Sequence, residues 1–191
     1  TSLLTYCKSK KYPVVIATTG LSEEQKEEIA EASKEIPVFF SANMSIGVSL
    51  ISELAKKAAK VLSGNFDIEI VEMHHNKKID APSGTALMLA DSISQVLDEK
   101  PVYEYNRHAK RERRSKNEIG IHAVRGGTIV GEHEVIFAGH DEIIKISHSA
   151  RSKEIFAVGA VNAGIFIADK EPGLYAMSDF VSAQYKHHKL F

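Results

Sequence analysis

Glu72-Met73-His74-His75-Asn76-Lys77-Lys78-Ile79-Asp80-Ala81-Pro82-Ser83-Gly84-Thr85-Ala86 sets two adjacent histidines, two lysines and a Ser-Gly-Thr turn between an expected strand and an expected helix. Residues 67–73 read as the strand, because Ile68, Ile70 and Val71 supply the apolar, β-branched character of a half-buried one. Residues 84–97 read as the helix, with Leu89, Ile93 and Val96 or Leu97 spaced so that an apolar stripe faces a core. Ser83 then falls near the N-cap. A helix N-terminus presents unpaired N–H groups and the positive end of a dipole, so Ser83, Gly84 and Thr85 can hold a carboxylate or a phosphate. Lys78 can bring a full positive charge to the same place. Taken alone, such a turn is a capped helix start. Adjacent histidines on a strand point to opposite faces, so His74 and His75 share a pocket only if the strand bends or ends there. The combination is more specific: an imidazole, a cation and an anion-holding helix end, all at the carboxyl end of one strand, make a candidate active site.

The pattern His-His-x-x-Lys-x-Asp-Ala-Pro-Ser-Gly-Thr-Ala at 74–86 resembles the signature of the dihydrodipicolinate reductases, nicotinamide-dependent enzymes of lysine and diaminopimelate biosynthesis. Thr18-Thr19-Gly20, Phe40-Ser41-Ala42-Asn43-Met44-Ser45-Ile46-Gly47-Val48, Val124-Arg125-Gly126-Gly127 and Val130-Gly131-Glu132-His133 resemble that family in order and spacing, from about Tyr12 onward. The resemblance implies a partial Rossmann-type dinucleotide-binding domain (residues 1–44 and 152–191) and a substrate-binding and tetramerisation domain (residues 45–151). The expected fold class is α/β plus α+β, with a mixed, largely antiparallel sheet in the second domain. The same resemblance implies a homotetramer that transfers hydride from NADH or NADPH to a cyclic, unsaturated dicarboxylate. His74 would donate the proton, since an imidazole with a reference pKa of about 6.5 supplies one at neutral pH. Lys78 would share that role or stabilise the developing negative charge. Thr19, His75, Lys78, Ser83, Gly84 and Thr85 would bind substrate, and Ala17, Thr18, Thr19, Ser41, Ala42 and Met44 would hold the cofactor. Asn162 stands where the family leads one to expect an arginine. Hinges near 41–45 and Ser152 would allow domain closure.

Composition narrows the remaining classes. The chain's 191 residues suffice for one domain or two small ones with a real core. Its 43% hydrophobic and 26% charged content is that of an ordinary globular protein, and a net charge of -1 argues against general nucleic-acid binding. The single cysteine, Cys7, excludes an intrachain disulfide framework and suits a reducing cytoplasm. No apolar run approaches the ~20 residues of a membrane span, and no signal-peptide segment stands at the front, so a cytosolic protein is expected. A dinucleotide-binding fold normally opens on G-x-G-x-x-G, which this sequence lacks. The expectation is a fragment of a longer enzyme whose front binds the pyrophosphate.

Outward from the central stretch, residues 2–9 read as the end of a helix and 13–17 as a buried strand. That strand ends in Thr18-Thr19-Gly20, where open α/β sheets bind ligands. A helix starts at Ser22, with Gln25 completing a capping box, and runs to about Lys34; residues 37–40 form a second strand. Residues 46–62 read as a helix with Leu50, Ile51, Leu54, Ala58 and Val61 inward, stopped by Gly64-Asn65. The basic run 107–116 lacks interleaved aromatics and reads as a solvated loop. Strands are expected at 118–124, 128–138 and 142–149, with Gly126-Gly127 and Gly139-His140-Asp141 as hairpin turns. A helix over 151–168 would turn Ile155, Val158, Ile165 and Phe166 inward. The tail 173–191 carries Leu174, Tyr175, Met177, Phe180 and Val181 and should pack back onto the first domain.

Three other chemistries compete. Lys78 in an apolar site could form a Schiff base, as in a lyase, which borohydride would trap. His74, His75, His122, His133, His140 and His148 could bind a metal, but they show neither H-x-x-x-H nor H-E-x-x-H spacing, and no metal is expected. A binding or assembly module would take up a dicarboxylate without NADH.

Overall fold

The computed structural model describes residues 2–187. Its elements in chain order are α1 (Ser2–Lys10), β1 (Val14–Ile16), α2 (Glu23–Ser33), β2 (Pro37–Phe40), α3 (Ile46–Leu62), β3 (Asp67–His74) and α4 (Gly84–Ser94). There follow β4 (Val102–Glu104), a 3-10 turn (Arg107–Ala109), β5 (Glu118–Arg125), β6 (Gly131–Ala138), β7 (Ile143–Ala150), α5 (Glu154–Ile167), β8 (Gly173–Tyr175) and α6 (Met177–His187). Two units result, one reaching to Ser49 and resuming at Glu154, the other Leu50–Lys153.

In the first unit β1, β2 and β8 lie side by side in that order, all parallel. The capping box forms as read: Ser22 Oγ accepts the Gln25 N–H, and the Gln25 side chain accepts the Ser22 N–H. One core gathers Cys7, Val14, Ile29, Ala32, Ile36 and Val38; another gathers Phe39, Met44, Ala163, Ile167, Met177 and Phe180. Residues 173–187 of the tail pack back as a third strand and a helix, and 188–191 lie outside the described residues. The inward face of α5 matches the expected one only in part: Phe166 packs on the core and Ile155 is half-buried, but Val158 and Ile165 are 57% and 70% exposed, and Gly159, Ala163 and Ile167 are the buried residues. The helix is apolar nearly all round, so periodicity could not choose a face. Close approach chooses it instead, because a Cβ at Gly159 would lie 1.7 Å from the Met44 carbonyl oxygen.

The second unit is a five-stranded sheet in the order β4-β5-β3-β6-β7. Its middle strand, β3, runs parallel to β5 and antiparallel to β6. Gly126-Gly127 is therefore not a hairpin turn. β5 and β6 flank β3 on opposite sides, and the link between them crosses the strand's end. There the Gly126 N–H donates to His74 O at 2.9 Å, and Gly127 O accepts from Asn76 N–H at 3.2 Å. The second turn is a true hairpin, with Ala138 opposite Ile143. The sheet is mixed, with two parallel and two antiparallel pairings.

Ile68 and Ile70 share one core with Ile51, Ala55 and Ala59 of α3, Leu89 and Ile93 of α4, and Ile119, Ile121, Val135 and Phe137 of the sheet. Of the residues expected inward on α3, Ile51 is buried and Ala58 half-buried, while Leu50, Leu54 and Val61 are exposed. As on α5, small residues (Ala55, Ala59) take the buried stripe, because they let the helix sit close to its neighbours. α4 stops at Ser94, and Val96 and Leu97 still pack on the core from the following turn. The basic run is not merely a solvated loop. Arg114 donates to Glu69 and Asp67 side chains and to the Ile68 carbonyl, tying the loop to the start of β3, and Lys110 pairs with Glu104.

Gly159→Ala should lower the free energy of unfolding by about 2 kcal/mol, the cost of forcing a helix off a close backbone contact. Urea denaturation measures it, and an unchanged midpoint would mean that α5 is not seated through Gly159.

Candidate active site

Side chains alternate along β3, and Ile68, Ile70, Glu72 and His74 all fall on the buried face. Glu72 thus carries a carboxylate inward with 0% exposure. A charge so placed persists only when its lone pairs are satisfied. Arg125 grips it bidentately, NH1 to Oε2 at 2.8 Å and NH2 to Oε1 at 2.7 Å. His74 Nδ1 lies 2.6 Å from Oε2, and the Ser83 backbone N–H donates to Oε1 at 3.0 Å. Burial pushes the carboxyl up, but the bonds from Arg125, His74 and Ser83 outweigh it and hold it below the ordinary carboxylate range.

An ionised carboxylate only accepts, so Nδ1 of His74 carries a hydrogen and Nε2 is the nitrogen left for other chemistry. The ring itself is 9% exposed. A Cβ at Gly131 would stand 3.0 Å from Nε2, so glycine there leaves that nitrogen uncrowded.

Ser83 is the N-cap of α4, with extended backbone and Oγ accepting the Ala86 N–H at 3.2 Å. His133, directly across the sheet from Glu72, meets the same oxygen through Nε2 at 2.8 Å. Its Nδ1 is buried without a partner among the described residues. An unpaired lone pair there costs less than an unpaired N–H would, which assigns the proton to Nε2 as a donor to Ser83 Oγ. Ser83 then accepts twice, and its own hydroxyl proton remains to be donated. Burial first, and then the neighbouring His74, depress the His133 pKa to about 4. The two rings meet edge to face with centroids 5.1 Å apart.

Lys78 lies in the loop between β3 and α4, paired with Asp80 at 2.8 Å. Its hydrogen bond is the main cause holding Asp80 below the usual carboxylate range. The Asp80 carbonyl accepts from Arg125 NH2 at 2.7 Å. A continuous path of polar contacts therefore runs from His74 through Glu72, Arg125 and Asp80 to Lys78. His75 follows the strand's end, and its carbonyl accepts the Lys78 N–H at 3.1 Å. Gly84 is exposed, with open space where a side chain would be, and Thr85 is half-buried beside it in the first turn of α4.

The remaining expected residues belong to the first unit. Ala17, Thr18 and Thr19 follow β1 and are exposed; Ser41 and Ala42 follow β2, whose Phe40 is in register with Ile16. The Met44 side chain is 4% exposed and packs in the core, so an apolar side-chain contact from it to a ligand is not available. Its backbone and its neighbours form the strand end.

Glu72, Arg125 and His133 take part in the site although sequence reasoning gave them no role in it. Glu72 was the legible one, since it shares strand parity with Ile68, Ile70 and His74. Arg125 and His133 come from other strands, and no spacing rule links them to position 72. Of the six histidines considered for a metal, His122 pairs with Glu69 and His140 sits in the exposed turn, while His133 packs on His74 and stands opposite His148 of β7. Among the described residues no group of three or more His, Cys, Asp or Glu is placed to hold a metal.

Two family models match the chain: dihydrodipicolinate reductase, N-terminus, over residues 1–44, and dihydrodipicolinate reductase, C-terminus, over residues 47–181. A 4-hydroxy-tetrahydrodipicolinate reductase of Caldanaerobacter subterraneus subsp. tengcongensis is 65% identical over 172 residues, covering 90% of this chain and 68% of that protein. One of Clostridium novyi is 53% identical over 183 residues, covering 96% and 72%. Among solved structures, a dipicolinate-bound dihydrodipicolinate reductase from Paenisporosarcina sp. TG-14 is similar with a TM-score of 0.74 and 25% identity, covering 92% of this chain and 66% of that one.

The buried imidazole gives a pH prediction. Below about pH 6.5 the unfolded chain protonates His133, whereas the folded chain resists until about pH 4. Stability is therefore undiminished above pH 6.5 and is lost on acidification toward pH 4, by up to about 3 kcal/mol. His148, also held low by burial, acts with the same sign. Melting temperatures between pH 7 and pH 5 should fall for the native protein and less for His133→Gln; equal slopes would contradict the assignment.

Proposed function

This chain belongs to the dihydrodipicolinate reductase family, and on that premise we propose that His74 is the proton donor and Lys78 the charge-stabilising cation of its reduction step. The family makes it an NAD(P)H-dependent oxidoreductase of lysine and diaminopimelate biosynthesis, acting on 4-hydroxy-tetrahydrodipicolinate. One observation carries the residue assignment: His74, the N-terminus of α4 and the Lys78 loop are bound into one network around the Glu72 carboxylate.

A ring with two carboxylates needs fixed N–H and cationic partners. The solved relative holds dipicolinate, a ligand of that kind. Here the Ser83 N–H is committed to Glu72, so the groups that face an incoming carboxylate are the Ser83 hydroxyl and the first turn of α4 at Gly84 and Thr85. Lys78 supplies the charge when it exchanges Asp80 for the substrate. His75 completes the substrate contacts of this unit. Once the 4-hydroxyl has left as water and the ring carries a C=C, His74 delivers its proton from Nε2 to the ring carbon beside the one that accepts hydride.

The nicotinamide cofactor supplies that hydride when bound. The residues of the first unit fit it, since small, exposed residues (Ala17, Thr18, Thr19, Ala42) stand with Ser41 at the carboxyl ends of two adjacent parallel strands. Met44 contributes backbone there, not side chain.

The same reading makes the protein a cytoplasmic homotetramer. The sheet face carrying Val71 and Met73, opposite the one packed on α4, is only half-buried, and β7 stands at the sheet's edge. Among the described residues no helix is long and apolar enough to cross a membrane.

The full-length protein should oxidise NADH or NADPH with freshly generated substrate and sediment as a tetramer. His74→Gln should lower kcat about 10²- to 10³-fold, and Lys78→Met should lower kcat and raise the KM for the dicarboxylate. Dicarboxylate binding without turnover would favour the binding-module reading.

A further inference from the structure

We infer that Glu72 is a positioning residue for the reduction: it fixes the ring and tautomer of His74 through Nδ1 and, by the same carboxylate, locks the proton donor to the anion-holding start of α4. The inference rests on the assignment of His74 as proton donor.

Geometry carries it. A carboxylate serving only to neutralise Arg125 could do so from a half-exposed position at the sheet's end. Glu72 instead lies wholly inside, and its two oxygens divide the work. Oε2 takes His74 Nδ1 and one Arg125 nitrogen; Oε1 takes the Ser83 N–H and the other. Arg125 thereby prevents the carboxylate from rotating, and with that rotation blocked the imidazole is held by a 2.6 Å bond on one side. Nε2 is the ring nitrogen not engaged by that carboxylate, and a Cβ at Gly131 would stand 3.0 Å from it, so the glycine leaves it room. The ring can therefore cycle between neutral and protonated forms at Nε2 without changing its bond at Nδ1. When Nε2 gives up its proton to the substrate carbon, the ring becomes neutral with hydrogen still on Nδ1, and solvent returns the proton to Nε2. Because the Ser83 N–H ends on the same carboxylate, a shift of the proton donor displaces the substrate's anion site with it.

The test uses the full-length enzyme and two readouts. In steady-state kinetics Glu72→Gln should lower kcat by about 10²-fold, because the amide no longer stabilises the protonated ring, and raise the KM for the dicarboxylate, whose anion site hangs on the same carboxylate, while the KM for nicotinamide stays within about threefold. Nitrogen-15 NMR of histidine-labelled enzyme should find neutral His74 with its hydrogen on Nδ1. This second readout needs no variant and stands even if Glu72→Gln fails to fold. A kcat within twofold of the native value, or a His74 hydrogen found on Nε2 in the neutral native enzyme, would overturn the inference. Absence of turnover in the native enzyme itself would instead remove the proposed function, so the two failures are distinct.

Discussion

A carboxylate sealed from water has to be satisfied in full, and meeting that requirement at Glu72 organises the second unit. Three separate pieces of chain must converge on it: Arg125 from the end of β5, His74 from its own strand, and the first backbone N–H of the α4 cap. Each is placed by the sheet order. Because β3 is the middle strand, β5 brings Arg125 to one side and β6 brings His133 to the other. The chemistry then follows from the packing. A strand that buries Ile68 and Ile70 to make a core continues on the same face to bury Glu72 and His74.

Burial also separates the two histidines of this face into different roles. His133 is enclosed, bonded to Ser83 and held neutral down to about pH 4, which makes it a support for the cap hydroxyl. His74 retains a small opening at the strand's end and a carboxylate partner, the combination that suits a proton donor. Adjacent histidines in sequence suggested His74 and His75 as the pair to separate. In space the pairing that matters is His74 with His133, whose rings touch although they stand fifty-nine positions apart in sequence.

Much of this was readable from the chain because it is local. The capping box at Ser22, the N-cap at Ser83, the extents of α3 and β3 and the β6–β7 hairpin follow from residues within a few positions of one another. What escaped depends on distant partners. Gly126-Gly127 has the composition of a hairpin turn, yet its hydrogen bonds go to His74 and Asn76, because β3 lies between the strands it joins. The faces of α3 and α5 were legible only in part because both helices seat through small residues, Ala55, Ala59 and Gly159, while the eye follows Leu and Val. Arg114 reads as one more charge in a basic run, yet its guanidinium bonds Glu69, Asp67 and three backbone carbonyls.

The proposed event is proton delivery by His74 to a ring carbon while a neighbouring carbon receives hydride from nicotinamide. Isotope tracing addresses that event directly. The full-length protein would be given substrate with nicotinamide deuterated at C4 in ordinary water, and separately with unlabelled cofactor in heavy water, and the product weighed by mass spectrometry. One deuterium from the cofactor in the first case, one from solvent in the second, and product formation slowed about 10²- to 10³-fold with His74→Gln is the predicted result. Product that carries no cofactor deuterium, or undiminished turnover by His74→Gln, would contradict it.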